Sequence, residues 1–248
     1  MTYCLAVKLD EGLVFCSDSR TNAGPDRVST YSKMHRFSCH GDRQVAILTA
    51  GNLGTTQAVI ATLERDLKHD AGFNLSKAEY ISDIADYVGE NSVKVQQKYA
   101  SSGPEAGFNA SATFIVGGQT KGNDPELYLI YPEGNHITCS DRHPFLQIGE
   151  IKYGKPILDR IIRSHTAHEI AMRCTLVSMD STMRSNATVG PPIELLFLQR
   201  DELKSPAYYR SFRENDDYLL ALRRSWDENI RRAFNDLPPL DYADGADG

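Results

Sequence analysis

Apolar residues alternate from Tyr3 to Leu9, stop at the turn-forming Asp10-Glu11-Gly12, and resume from Leu13 to Cys16. Period-two patterning broken by such a turn predicts a β-hairpin. A polar loop from Thr21 to Asp26, containing Gly24-Pro25, leads to a second hairpin, Met34–Cys39 and Gln44–Ala50 around His40-Gly41-Asp42. The period then changes. From Asn52 onward Leu53, Val59, Ile60, Leu63 and Leu67 recur at helical spacing, and Ile81, Ile84, Ala85, Val88 and Val95 form a second apolar stripe. Ser76-Lys77-Ala78-Glu79 has the form of a capping box for that second helix.

Strand patterning returns at Ala110–Val116, Glu126–Tyr131, His136–Cys139 and Phe145–Ile148. Two further helices are expected, one over Tyr153–Ser164 and one opened by a capping box at Thr166-Ala167-His168-Glu169. Ile193–Gln199, almost continuously apolar, reads as a final strand buried on both faces. Blocks of strands and helices, as opposed to alternating βαβ units, argue for an α+β fold with helices covering antiparallel sheets. Two stacked sheets with helices on each outer face would make a four-layer αββα sandwich.

Near the C-terminus Tyr218, Leu222, Trp226, Ile230 and Phe234 mark every fourth position of a charged helix, about 215–235. Such a stripe serves either the chain's own core or a subunit interface. Leu237-Pro238-Pro239 ends it, and the acidic, glycine-rich tail at 236–248 is expected to be disordered. The expected organisation is one domain over 1–235 followed by that tail.

Composition narrows the function classes. The 248 residues carry a net charge of −6, and no basic run suggests a nucleic-acid partner. No stretch approaches the ~20 apolar residues of a membrane span, and the N-terminus lacks a signal peptide's basic flank and apolar run. Five scattered cysteines without a CxxC pair read as free thiols of a cytoplasmic protein. No glycine-rich phosphate loop follows a strand, so neither nucleotide nor other cofactor is expected. His165 and His168 are spaced compatibly with a metal but lack a third ligand.

The chemistry begins at Thr2, directly behind Met1. Removal of Met1 would leave one residue carrying a hydroxyl and a free α-amine, a nucleophile and its base together. The amine's ordinary pKa of about 8 suits it to general-base work near neutrality. Lys33 could hold that amine neutral and stabilise a developing alkoxide, with Asp18 as partner for an otherwise costly buried charge. Arg20 could brace the loop that follows. The Gly51 N–H, between a strand and a helix, could serve a developing oxyanion. Taken singly, Asp18 and Lys33 would be an ion pair and Gly51 a turn; the argument rests on all four in this order.

With those residues in view, the chain resembles the proteasome β-subunit family of N-terminal nucleophile hydrolases, and most of all its bacterial branch Anbu. The resemblance rests on Met-Thr-Tyr-Cys at the start, Ser17-Asp18-Ser19-Arg20-Thr21-Asn22-Ala23-Gly24 and Thr49-Ala50-Gly51-Asn52. It implies Thr2 as nucleophile, Asp18 and Lys33 as its tuning pair, Gly51 at the oxyanion, Asn22 against the substrate backbone, and Asp180 of Met179-Asp180-Ser181 near the amine. It also implies self-association into a ring or spiral, a peptide or protein substrate, and an unfolding ATPase or adaptor as a possible partner.

Three departures from the family pattern stand out. The Asp18–Lys33 interval is one residue shorter than usual, Gly149-Glu150-Ile151 replaces a Gly-Ser-Gly segment, and Met183 replaces a serine. Activation would need only Met1 removal, there being no propeptide ahead of Thr2. The leading expectation is a threonine-type amide hydrolase. A catalytically silent assembly protein and a small-molecule amidase are the alternatives.

Overall fold

The computed structural model describes residues 1–22, 28–39, 41–102 and 109–240, which divide into two compact units at Glu214 and Asn215. In the first unit β1 (Tyr3–Leu9) and β2 (Gly12–Ser17) form the expected hairpin. β3 (Arg20–Asn22) and β4 (Val28–Thr30) make a short ladder of their own, within which the polar loop was expected. β5 (Met34–Cys39) and β6 (Arg43–Gly51) form the second hairpin. Helices α1 (Leu53–Lys68) and α2 (Ile81–Ser102) follow, then β7 (Ala112–Thr120), β8 (Glu126–Ile130), β9 (His136–Thr138) and β10 (Phe145–Gly149). Helices α3 (Lys155–Ile161) and α4 (His168–Ser185) precede β11 (Ile193–Gln199) and β12 (Tyr208–Phe212).

The strands form two antiparallel sheets, ordered β10-β1-β2-β11-β12 and β5-β6-β7-β8-β9. Alternation along each strand explains why they stack. Cys4 and Ala6 of β1, with Leu13 and Phe15 of β2, meet Ala46 and Leu48 of β6 and Ile115 of β7 in the core between the sheets. Val45 and Ile47 of β6, with Phe114 and Val116 of β7, turn the other way. They pack under Val59, Ile60 and Leu63 of α1 and Ile81, Ile84 and Val88 of α2. Helix α4 covers β1 and β2 on the remaining face. The architecture is therefore the αββα sandwich.

Several elements differ from the sequence reading. Ser76 does not cap α2: its N–H and hydroxyl both donate to Asn74 Oδ1, at 2.8 and 2.7 Å. The helix starts five residues later, where Asp83 Oδ2 accepts the Glu79 and Tyr80 N–H groups. Thr166 does not cap α4 either. Its hydroxyl accepts from the Arg163 N–H, and the N-cap position is Ala167. Helix α3 is shorter than its apolar pattern, starting behind Gly154 with Pro156 in its first turn. Finally, β11 is not the last strand. β12 escaped notice because Tyr-Tyr-Arg-Ser-Phe is a largely exposed edge with little apolar alternation.

The second unit holds α5 (Asp217–Asn235), opened by Asp216, whose carboxylate accepts the Tyr218 and Leu219 N–H groups. None of its residues is buried, and Ile230 and Phe234 of the apolar stripe are exposed. Residues 241–248 of the expected tail lie outside the described residues.

Candidate active site

The site forms where the two sheets come together at the start of β1. Asp18 directly follows β2 and is fully buried. One carboxylate oxygen, Oδ1, accepts from Lys33 Nζ at 2.7 Å and from the Tyr3 N–H at 3.0 Å. The other, Oδ2, accepts from the Gly190 N–H at 3.2 Å. Burial pushes the Asp18 carboxyl above the ordinary carboxylate range, against the opposing pull of Lys33 and the two backbone donors. The lysine belongs to the segment entering β5 of the other sheet. Its ammonium also donates to the Arg20 carbonyl at 2.7 Å, so two acceptors from the β2–β3 segment hold it.

A cavity of about 300 Å³ opens above this pair. Thr2, Arg20, Thr21, Lys33, Gly51 and Gly149 are among its walls. Thr2, Lys33 and Gly51 are thus brought together in one cleft, with Asp18 behind Lys33. Gly51 ends β6 with φ +105°, and a Cβ there would meet the Ser111 carbonyl at 2.4 Å. Only glycine allows that turn without strain. Asn52 then caps α1, its side chain accepting from the Thr55 N–H.

The N-terminal strand is fixed from its other side by β10. The Glu150 N–H donates to the Thr2 carbonyl at 2.7 Å, and Gly149, at φ +83°, lies so close that a Cβ would sit 1.9 Å from that carbonyl oxygen. Glu150 is buried and accepts from Asn186 Nδ2 at 3.3 Å. In the chain with Met1 present, burial and the Lys33 charge lower the pKa of the terminal amine below its usual 8.0. Asp18 and Glu150 act in the opposite sense.

Asp180 is buried on α4 and is not among the lining residues. Asn22 ends β3, paired with Val28; residues 23–26 of the expected Thr21–Asp26 loop lie outside the described residues. Arg20 reaches across the site, its Nη1 donating to the Ala187 carbonyl at 2.8 Å, which packs the guanidinium against Gly190. Thr21 was not singled out from sequence. Its Oγ1 is buried in the cavity wall without a hydrogen-bond partner among the described residues. His168 contacts Glu11 and stacks on Phe197. Among the described residues no group of three or more His, Cys, Asp or Glu side chains could hold a metal ion, and no helix is long and apolar enough to cross a membrane.

A sequence model of the family described as Proteasome subunit matches residues 2–197, a span holding every site residue above. The chain belongs to the proteasome subunit family. Among solved structures, the helical assembly of the Anbu complex from Pseudomonas aeruginosa is 43% identical, with a TM-score of 0.91. That match covers 98% of this chain and all of the other. Anbu (ancestral beta-subunit) from Yersinia bercovieri is 38% identical at TM-score 0.90, again over 98% of this chain and all of the other. A Gly-1 mutant of Anbu from Hyphomicrobium sp. strain MC1 is also 38% identical, at TM-score 0.89 over 97% and 100%. These relatives put the proteasome-family chain on the Anbu branch. A comparison with curated protein sequences gives no match.

Proposed function

We propose that this Anbu-branch subunit is a threonine-type amide hydrolase that becomes active once Met1 is removed. The observation that carries this reading is the buried Lys33–Asp18 pair set beneath a cleft that Thr2 lines. Burying both charges costs several kcal/mol per ion before their attraction is counted, and a subunit with a purely architectural role has no use for an ammonium held there.

In the proposed reaction the Thr2 amine, exposed by loss of Met1, accepts the Thr2 hydroxyl proton as Oγ attacks a substrate carbonyl. A C–O bond forms, and the carbonyl π electrons move to oxygen. The resulting oxyanion is stabilised by the Gly51 N–H, and Lys33 favours both the neutral amine and the developing alkoxide. Collapse of the tetrahedral intermediate breaks the C–N bond while the ammonium returns its proton to the leaving amine. Water, deprotonated by the same amine, then cleaves the ester and restores Thr2. Asn22 and the β3 backbone hold the substrate in extended form, and Asp180 supports the amine from α4. Peptide or isopeptide bonds are the substrates proposed for this cleft.

The Pseudomonas relative is described as a helical assembly, and self-association into a ring or spiral is proposed for this chain too, with access to the cleft set by that assembly. A cytoplasmic location and supply of substrate by an ATPase or adaptor belong to the same proposal. Peptide libraries incubated with the assembled protein and read by mass spectrometry test the activity. Cleavage abolished by Thr2→Ala and retained at reduced rate by Thr2→Ser is expected. Equal cleavage by Thr2→Ala would remove the proposed nucleophile.

A further inference from the structure

Lys33 has to cross between sheets. It enters β5 of one sheet, while its acceptors Asp18 and Arg20 follow β2 of the other. Hydrogen bonding within either sheet cannot fix the distance between them. A third group does so beside the site. Glu194 of β11 is buried, and its backbone pairs with Ser17, the residue before Asp18. Its carboxylate accepts three hydroxyl groups. Oε2 accepts from Ser32 Oγ at 2.6 Å and from Ser19 Oγ at 3.4 Å. Oε1 accepts from the Tyr209 hydroxyl of β12 at 2.7 Å.

Two of those donors are the chain neighbours of the ion pair: Ser19 follows Asp18, and Ser32 precedes Lys33. The Ser32 hydroxyl also accepts from the Met34 N–H at 3.2 Å, so the carboxylate is tied to the backbone on both sides of Lys33. Tyr209 closes the arrangement. Its ring lies 3.6 Å beneath the guanidinium of Arg36, which is itself in β5. A buried carboxylate with three hydroxyl donors is shielded from water and well satisfied, and charge-assisted bonds of this kind are the stronger and more directional ones.

We propose that Glu194 is a positioning residue of the threonine centre, tying Ser19 and Ser32 together so that Lys33 is delivered against Asp18 and into the cleft. The proposal rests on the hydrolase reading above. Glu194 lines no part of the cleft and acts on Lys33 through Ser32. Misplacement of the ammonium by about an ångström would cost ten- to a hundredfold in rate without altering the walls that bind substrate.

The test uses the full-length, Met1-processed assembly and an α′,β′-epoxyketone probe, which reacts with an adjacent hydroxyl and free amine. For Glu194→Gln and Ser32→Ala, kinact should fall at least tenfold while KI stays within twofold of wild type. Ser32→Thr, which keeps the hydroxyl, should restore most of the rate, and the Glu194→Gln/Ser32→Ala double variant should be no slower than either single one. A crystal structure of Glu194→Gln should show Lys33 Nζ displaced from Asp18 Oδ1. A reactive wild type whose Glu194→Gln variant keeps Lys33 at its wild-type distance, or keeps kinact, overturns the role of Glu194 alone. A processed wild type inert to the probe overturns the hydrolase reading, and the role of Glu194 in it, together. Ser32 is solvent-touched, so Ser32→Ala gives the answer even where Glu194→Gln fails to fold.

Discussion

Lys33 Nζ stands 2.7 Å from Asp18 Oδ1, a contact between two buried side chains carried by different sheets of the sandwich. The pair therefore links tertiary structure to the chemistry of the cleft. Its removal should affect stability and activity by separable amounts.

Asp18→Asn leaves an uncompensated ammonium in the interior and should destabilise the subunit by about 3–5 kcal/mol. Adding Lys33→Met to that variant removes the stranded charge, so most of the stability should return while amide hydrolysis stays lost. Chemical denaturation and peptide turnover of the single and double variants check this. Full activity in the double variant would show that the pair is structural only.

Gly51→Ala places a Cβ against the Ser111 carbonyl at a backbone angle that alanine strains to adopt. The expected cost exceeds 1 kcal/mol, because the native conformation is incompatible with the new residue. The rate should fall about a hundredfold or more if the strain swings the Gly51 N–H away from the oxyanion. Thermal melting and kcat measured together check both parts, and an unchanged kcat would move the oxyanion contact elsewhere.

The pH dependence follows from the groups around the N-terminal amine. In the unprocessed chain burial and Lys33 lower the pKa of the Met1 amine, while Asp18 and Glu150 oppose them. The Thr2 amine freed in the same cleft meets the same groups, and a base must be neutral to work, so kcat/KM should rise with pH through an apparent pKa below the usual 8.0. Glu150→Gln removes a negative neighbour that favours the ammonium. The acid limb should shift to lower pH in that variant. An acid limb that does not move would mean that the Glu150 carboxylate does not act on the amine.

Much of this was legible from the chain. The hairpin of Tyr3–Leu9 and Leu13–Cys16 stands out because its strands are apolar on both faces, one meeting the second sheet and the other a helix, with a polar turn between them. Asp18, Lys33 and Gly51 could be picked out because each stands at an element boundary, where the chain's direction is set locally. Capping was misread at Ser76 and Thr166 because serine and threonine serve turns as readily as helix starts. In both places a local turn took the hydroxyl, with Asn74 Oδ1 accepting from Ser76 and Thr166 accepting from the Arg163 N–H.

Glu194 and Tyr209 were not legible, for a related reason. A glutamate inside an apolar strand signals only that something must satisfy it. Its partners Ser19, Ser32 and Tyr209 are 175, 162 and 15 residues away. β12, which carries Tyr209, has no alternation to betray it. Such a cluster appears only when the two sheets are assembled.

Intact-mass analysis of the native assembly, before and after the α′,β′-epoxyketone, tests the central claim most directly. The account predicts a subunit lacking Met1 that gains one adduct, with the adduct abolished by Thr2→Ala. A subunit that retains Met1 in its assembled form, or that lacks Met1 and takes up no probe, would contradict it.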